Sequence, residues 1–207
     1  RPENHGILYH RTAMKIIVIT RPDFFDGETE LVNNLFRAGM ERLHLRKPKS
    51  SEEELVSWLQ NIDSQYYGRI VLHDHFNLIS RFPLGGVHLN SRNPEYHKTT
   101  AEQDITISRS CHSIAEIIQY KSKCNYLFLS PIYDSISKEG YGAAFSRIDL
   151  KQAADKGIID SKVLALGGVS LEYIPELRSM GFGGAAVLGA LWQAKEPTRY
   201  LKALMEA

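Results

Sequence analysis

Two cysteines in 207 residues are too few for a disulfide framework, and Cys111 and Cys124 lie at no metal-ligand spacing. The pair fits a reducing compartment and reads as two inert thiols. No apolar run approaches the roughly 20 residues of a membrane span, and the N-terminus lacks the apolar core of a secretory signal. A cytoplasmic protein without a membrane partner is the expectation. Nor is one sign of charge in surplus: 25 basic residues against 24 acidic leave a formal +1 spread along the chain, with no basic face for nucleic acid. What the chain does carry is apolar residue, 43% of the total, enough for one substantial core, and no break in composition separates a second domain.

The segment 1–13 is polar and patternless, and reads as an N-terminal extension or short arm ahead of a single domain over 14–207. From Lys15 onward strands and helices alternate. Runs Lys15–Thr20, Arg42–Arg46, Arg69–Leu72, Gly86–Leu89, Asp104–Ser108 and Asn125–Leu129 read as strands one to six. Helical spacing follows most of them: Leu31, Leu35 and Phe36 after Gly27; Leu55, Trp58, Leu59 and Ile62 after a Ser50-Ser51 cap; Ile114, Ile117 and Ile118 after Ser113. Weaker signals place short helices ending near Arg81 and near Thr99 to Glu102. The stretch Ser130 to Phe145 has no periodicity and contains Gly140 and Gly142; a loop of that length reads as a lid. A helix over Arg147–Lys156 and a last helix over Leu191–Met205 complete the pattern.

Between those two helices lies the segment that organises the chain. Lys162-Val-Leu-Ala-Leu-Gly-Gly168 is an apolar strand ending in a glycine pair, Gly181 stops the helix after it, and Phe182 to Val187 is a second apolar strand running into Leu188-Gly189. Bare backbone at strand ends lets N–H groups converge on an anion. Eight βα units with short apolar strands imply a parallel sheet covered by helices, and the glycine-ended seventh and eighth units favour closure into a (β/α)8 TIM barrel over an open doubly wound sheet. A phosphorylated small molecule is the expected ligand.

In such a barrel the residues at the strand C-termini share one pocket. They are His44, Arg46 and Lys47; His73 and Asp74; His88 and Asn90; Arg109, Ser110 and His112; Ser130, Ser135, Ser137 and Lys138; Gly167, Gly168 and Gly189. His112 is singled out because an imidazole near its ordinary pKa both accepts and donates a proton at neutral pH. Arg46 ends an apolar strand, where a charge needs a ligand anion or an ion pair with Asp74 or a glutamate. Asp74 could hold Mg²⁺, although the segment Asn90 to Asn93 offers no second acid. Lys138, in a glycine-bearing loop, is either a clamp on phosphate or a solvated side chain.

Taken together and in order, these motifs resemble the thiamin phosphate synthase and TenI family of (β/α)8 barrels. The residues that carry the likeness are His44-Leu-Arg-Lys47, His73-Asp74, Gly86-Val-His-Leu89, Ser108-Arg-Ser-Cys-His-Ser113, Ser130-Pro-Ile-Tyr133 with Ser137-Lys138, Leu166-Gly-Gly-Val169 and Gly184-Ala-Ala-Val-Leu-Gly189. The resemblance covers Lys15 to Ala194 and implies one of two chemistries. Synthases join a pyrimidine pyrophosphate to a thiazole phosphate, with a glutamine, arginine and lysine in the strand-two motif and two aspartates for Mg²⁺. Here Arg46 and Asp74 match, His44 stands at the glutamine place, Pro48 at the lysine place with Lys47 or Lys49 as substitutes, His73 replaces an asparagine, and the second aspartate is missing.

TenI-type members instead aromatise a thiazole carboxylate phosphate by moving a proton, without metal. His112 matches the histidine of that subgroup, and it also occurs in synthases. On these residues the tautomerase is preferred and the synthase is the alternative; a barrel that binds thiamin precursors without converting them is a third reading. The resemblance implies His112 as general acid/base, His44, Arg46, His73, Asp74, Ser110 and Lys138 around the substrate, and the backbone of Gly167, Gly168, Leu188 and Gly189 around the phosphate. It implies no cofactor for a tautomerase and Mg²⁺ on Asp74 for a synthase. Its partner is a small phosphorylated thiazole, and self-association into a homo-oligomer is compatible with it.

Overall fold

The computed structural model describes residues 13–102, 104–136 and 144–207. Eight parallel strands close in chain order into a barrel: β1 (Lys15–Ile19), β2 (Arg42–Leu45), β3 (Ile70–Leu72), β4 (Gly86–Leu89), β5 (Thr106–Cys111), β6 (Tyr126–Leu129), β7 (Val163–Ala165) and β8 (Gly184–Val187). Closure is made by β1 against β8, with Lys15 opposite Gly184 and Val18 opposite Val187. The outer layer holds α1 (Glu28–Arg37), α2 (Glu52–Gln60), α3 (Ile114–Tyr120), α4 (Tyr133–Ile136), α5 (Arg147–Asp155), α6 (Ile174–Ser179), α7 (Gly189–Trp192) and α8 (Pro197–Glu206). The expected (β/α)8 barrel is the fold observed. No helix among the described residues is long and apolar enough to cross a membrane.

Side chains alternate across each strand, so one parity faces the helices and the other the barrel axis. The outward set joins the helices in the main core: Leu43 and Leu45 of β2, Leu35 of α1 and Leu55 of α2 are all fully buried there, each worth about 1.5–3 kcal/mol against exposure. The inward set is divided. Ile17, Ile19, Tyr126, Phe128, Leu164 and Ala186 form a small separate cluster on β1, β6, β7 and β8. On the other side of the axis β2 to β5 place His44, His88 and Ser108, all fully buried.

Four expectations need correction. Strand five runs from Thr106 to Cys111 rather than over Asp104–Ser108. Its inward serines bond to His88 and give it a polar look, while Arg109 to Cys111 pair with Leu127 to Leu129 of β6. The last helix is broken: α7 ends at Trp192 and α8 starts at Pro197, because proline lacks an N–H and its ring blocks continuation from the turn before it. The helices after β3 and β4 are only 3-10 turns, Phe76–Ser80 and Thr100–Glu102. Within the expected lid, Tyr133–Ile136 forms one helical turn; Ser137 and Lys138 lie outside the described residues, as do residues 1–12.

Candidate active site

The C-terminal rim is built first by β2. Arg46, just past its end, shares the inward parity of His44 and is fixed by a reciprocal exchange with Thr20: its N–H donates to Oγ1 at 2.9 Å, and that hydroxyl donates to the Arg46 carbonyl at 3.2 Å. The guanidinium makes no ion pair among the described residues and lines a cavity of about 460 Å³. The proposed ion pair with Asp74 does not form. Lys47 has the opposite parity and leaves the rim: its ammonium lies 2.6 Å from Glu28, sealed between β2 and α1. Lys47 therefore cannot stand in for the missing lysine at Pro48.

Asp74, following β3, is held from three sides. Its Oδ1 accepts from Arg92 Nε at 3.2 Å and Nη2 at 3.1 Å and from Asn93 Nδ2 at 3.4 Å, while Oδ2 accepts the Lys47 backbone N–H at 3.2 Å. Asn90 knits this loop together by donating to the carbonyls of His73 and His88 and accepting the N–H groups of Arg92 and Asn93. A second guanidinium, that of Arg92, thus joins Arg46 at the cavity wall. Sequence reading did not single out Arg92; its place two residues after Asn90, facing Asp74, was the available signal.

Below the cavity three histidines fill the barrel axis. His44 Nδ1 lies 2.7 Å from His73 Nε2, and His44 Nε2 lies 2.7 Å from the Tyr126 hydroxyl. His88 stacks on His73 with ring centroids 4.3 Å apart and bonds through both nitrogens to Ser108 and Ser110, each at 2.7 Å. Burial, reinforced by neighbouring rings and arginines, holds His44 and His73 well below the ordinary histidine range and pushes His88 down to about 3. All three are neutral at physiological pH. Ser110 is therefore committed to His88, and His44 is a floor of the cavity rather than its lining.

His112 follows the end of β5 and borders the same cavity as Arg46, Arg92 and His73. Its Nδ1 lies 3.2 Å from the Ser130 carbonyl and 3.3 Å from the Ser130 hydroxyl, which together hold the ring at the strand end. The residue as a whole is exposed, with Nδ1 part-buried against Ser130. A second cavity of about 440 Å³ adjoins the first and is lined by Gly167, Gly168, Ser170, Leu188, Gly189 and Asp134 among others; Leu166 and Leu188 border both. Gly167 and Gly168 have φ of +103° and +68°, and a Cβ on Gly168 would lie 2.7 Å from Asp134 Oδ1. Only glycine fits that turn. The first-turn N–H groups of α7, from Gly189, have no acceptor within their own helix. Both cysteines are free and buried, and burial pushes the Cys111 thiol up to about 12, so neither is a nucleophile.

Magnesium does not fit this rim as a resident ion. Asp74 is already neutralised by Arg92, Asn93 beside it supplies a neutral amide, and the carboxylate that lines the arginine cavity, Glu116, accepts the His112 backbone N–H at 3.2 Å. A protein-held Mg²⁺ calls for more oxygen charge than that.

Fold and rim together define a (β/α)8 barrel with two neighbouring cavities at the C-terminal face, one bordered by arginines and one by glycines. The chain belongs to the TMP-TENI family, described as thiamine monophosphate synthase, whose model matches residues 16–191. It is 38% identical to a thiamine phosphate pyrophosphorylase from Bacteroides thetaiotaomicron of known crystal structure, with a TM-score of 0.82 over 92% of this chain and 95% of that one. Thiamine-phosphate synthase from Salmonella paratyphi A is 28% identical over 173 residues, 81% of this chain and 82% of the relative. The thiamine phosphate pyrophosphorylase from Pyrococcus furiosus matches in fold, with a TM-score of 0.71 at 19% identity over 95% and 96% of the two chains. The family resemblance drawn from the motifs holds. The relatives' names favour the synthase, the alternative in the sequence reading, over the tautomerase that was preferred there.

Proposed function

We propose that this chain is a cytoplasmic thiamine-phosphate synthase, joining a pyrimidine pyrophosphate to a thiazole phosphate with release of pyrophosphate. The observation that carries the reading is the pair of adjoining cavities. One is a glycine-walled pocket suited to a single phosphate; the other holds the guanidiniums of Arg46 and Arg92, suited to a diphosphate; they meet at Leu166 and Leu188. Two anionic substrates placed side by side need such an arrangement, and a one-substrate isomerase needs only half of it. In the reaction the carbon–oxygen bond to pyrophosphate breaks, the leaving group departs with the electron pair, and a carbon–nitrogen bond forms to the thiazole. Charge growing on the leaving oxygens meets the two guanidiniums. His112, which borders the same cavity, is placed to bond to the substrate.

The tautomerase remains a second reading for one reason: Asp74 is neutralised by Arg92 and has no acidic neighbour at Asn93. In that case His112 moves the ring proton. A side-by-side assay decides, with purified chain given pyrimidine pyrophosphate plus thiazole phosphate, or the thiazole carboxylate phosphate alone, each with and without Mg²⁺. Release of pyrophosphate coupled to product supports the synthase. Isomerisation without pyrophosphate release sinks it, and binding without turnover of either set leaves a non-catalytic binder.

A further inference from the structure

A file of hydrogen bonds runs down the barrel axis beneath the arginine cavity, and no step of the proposed reaction uses it. It begins at the N-terminal end, where Arg42 Nε lies 2.9 Å from the Tyr126 hydroxyl. It continues from Tyr126 to His44 Nε2 at 2.7 Å and from His44 Nδ1 to His73 Nε2 at 2.7 Å. His73 Nδ1 ends the file. It bonds to no described residue, is not sealed from solvent, and belongs to a ring that lines the cavity.

The direction of every bond in the file follows from its first member. A guanidinium can only donate, so the Tyr126 oxygen accepts from Arg42. The hydroxyl hydrogen then goes to His44 Nε2, the other partner it has; turning it elsewhere would leave a half-buried donor unmade, at a cost of about 1–3 kcal/mol. A neutral imidazole carries one N–H. His44 must therefore hold it on Nδ1 and donate to His73 Nε2, which in turn forces the His73 hydrogen onto Nδ1. We propose that Arg42, Tyr126 and His44 are positioning residues that lock His73 as an uncharged Nδ1–H donor aimed at the ligand in the arginine cavity. Successive donors polarise one another, so the last N–H is stronger than that of an isolated imidazole. The inference rests on that cavity being the one that receives the pyrophosphate ester, whose oxygens are the acceptors it would meet. A metal ion on the three histidines would need the His44–His73 bond broken and one nitrogen of His88 taken from its serine, so the geometry favours the file.

The test is nitrogen-15 spectroscopy of the histidine rings in the full chain at neutral pH. His44 and His73 should each show the single Nδ1–H tautomer, and in Tyr126→Phe, with the anchor gone, His73 should populate both tautomers. An Nε2–H form of either ring in the unaltered chain overturns the proposal. So does a His73 tautomer indifferent to Tyr126→Phe, or stoichiometric metal bound through the three rings. If the variant does not fold, the spectrum of the unaltered chain decides alone. Turnover measured on the same sample separates the two claims: an inactive chain with the expected tautomers defeats the proposed reaction and upholds the file.

Discussion

Replacing Lys47 with methionine tests whether the strand-two lysine serves the reaction or the wall behind it. Its ammonium lies 2.6 Å from Glu28 Oε2, with the two side chains 0% and 2% exposed. It also donates to the carbonyls of Arg21 at 2.9 Å and Asp23 at 2.5 Å, and the other Glu28 oxygen accepts the Trp58 indole at 2.8 Å. All three ammonium hydrogens are thereby used. Removing the cation strands a buried carboxylate and two carbonyls, and breaking a buried pair from one side costs roughly 3–5 kcal/mol. Methionine restores part of the stem packing, and Glu28 can take up a proton, so the lower end of that range applies. With a urea slope of about 2–3 kcal/mol per molar, the unfolding midpoint should fall by roughly 1–2 M. Adding Glu28→Gln should recover part of the loss, since no unpaired charge then remains. Turnover per folded molecule should not change, because the ammonium faces the helix layer. A variant that keeps its midpoint and loses turnover refutes the reasoning and returns Lys47 to the pocket.

Acid should weaken the fold through the axial histidines. Their folded pKa values lie below the unfolded value near 6.5, so the unfolded state alone takes up protons as pH falls below about 6. Three such groups give a loss of up to about 4 kcal/mol per pH unit, and a urea midpoint that is flat from pH 7 to 5 would exclude neutral burial. Gly168→Ala puts a methyl against Asp134 at a φ of +68°; with about 1–2 kcal/mol of left-handed strain, weaker binding of thiazole phosphate by calorimetry is expected, and unchanged affinity removes the glycine turn from the cradle. His112→Ala should leave the melting temperature within error, since the residue as a whole is exposed, and lower turnover by about 10²–10⁴ if it moves a proton; a small effect with pyrophosphate release intact favours the synthase. In Arg92→Gln with Asn93→Asp, two carboxylates face each other without a cation, so Mg²⁺ at about ten times its Kd should add about 1.4 kcal/mol. The unaltered chain should show no such gain in thermal melts, and an equal gain in both would place the ion elsewhere.

The barrel was legible because its main core repeats. Most outward strand positions are leucine, isoleucine or valine, with Cys111, Ala165 and Ala185 among the exceptions, and each long helix keeps apolar spacing, as in Leu31, Leu35 and Phe36, or Leu55, Trp58 and Leu59. The misplaced elements are those where that signal is overridden by tertiary contact. Strand five is read short because Ser108 and Ser110 look like a turn until His88 is seen to bond both. The last helix is read long because apolar residues continue on both sides of Pro197, Leu191 before it and Leu201 and Leu204 after it, and that continuity says nothing of the break that proline imposes.

At the rim, strand parity separates what could be read from what could not. Leu43, Leu45 and Lys47 share one face of β2 while Arg42, His44 and Arg46 share the other, so the burial of Lys47 follows from counting by two, which residue type alone obscures. The same count along β6 sends Tyr126, Phe128 and Ser130 inward and would have brought Tyr126 to His44. No periodicity reaches Arg92. It lies in an irregular loop, and its pairing with Asp74 depends on how Asn90 folds the chain back on the His73 and His88 carbonyls. That pairing decides what the rim can bind. With a second acid at position 93 the loop would demand a cation; with arginine at 92 it already contains one, tied to Asp74 beside the Arg46 guanidinium, which makes no ion pair among the described residues. On the proposed reading, two guanidiniums at this rim make a diphosphate a better match to the cavity than a metal ion.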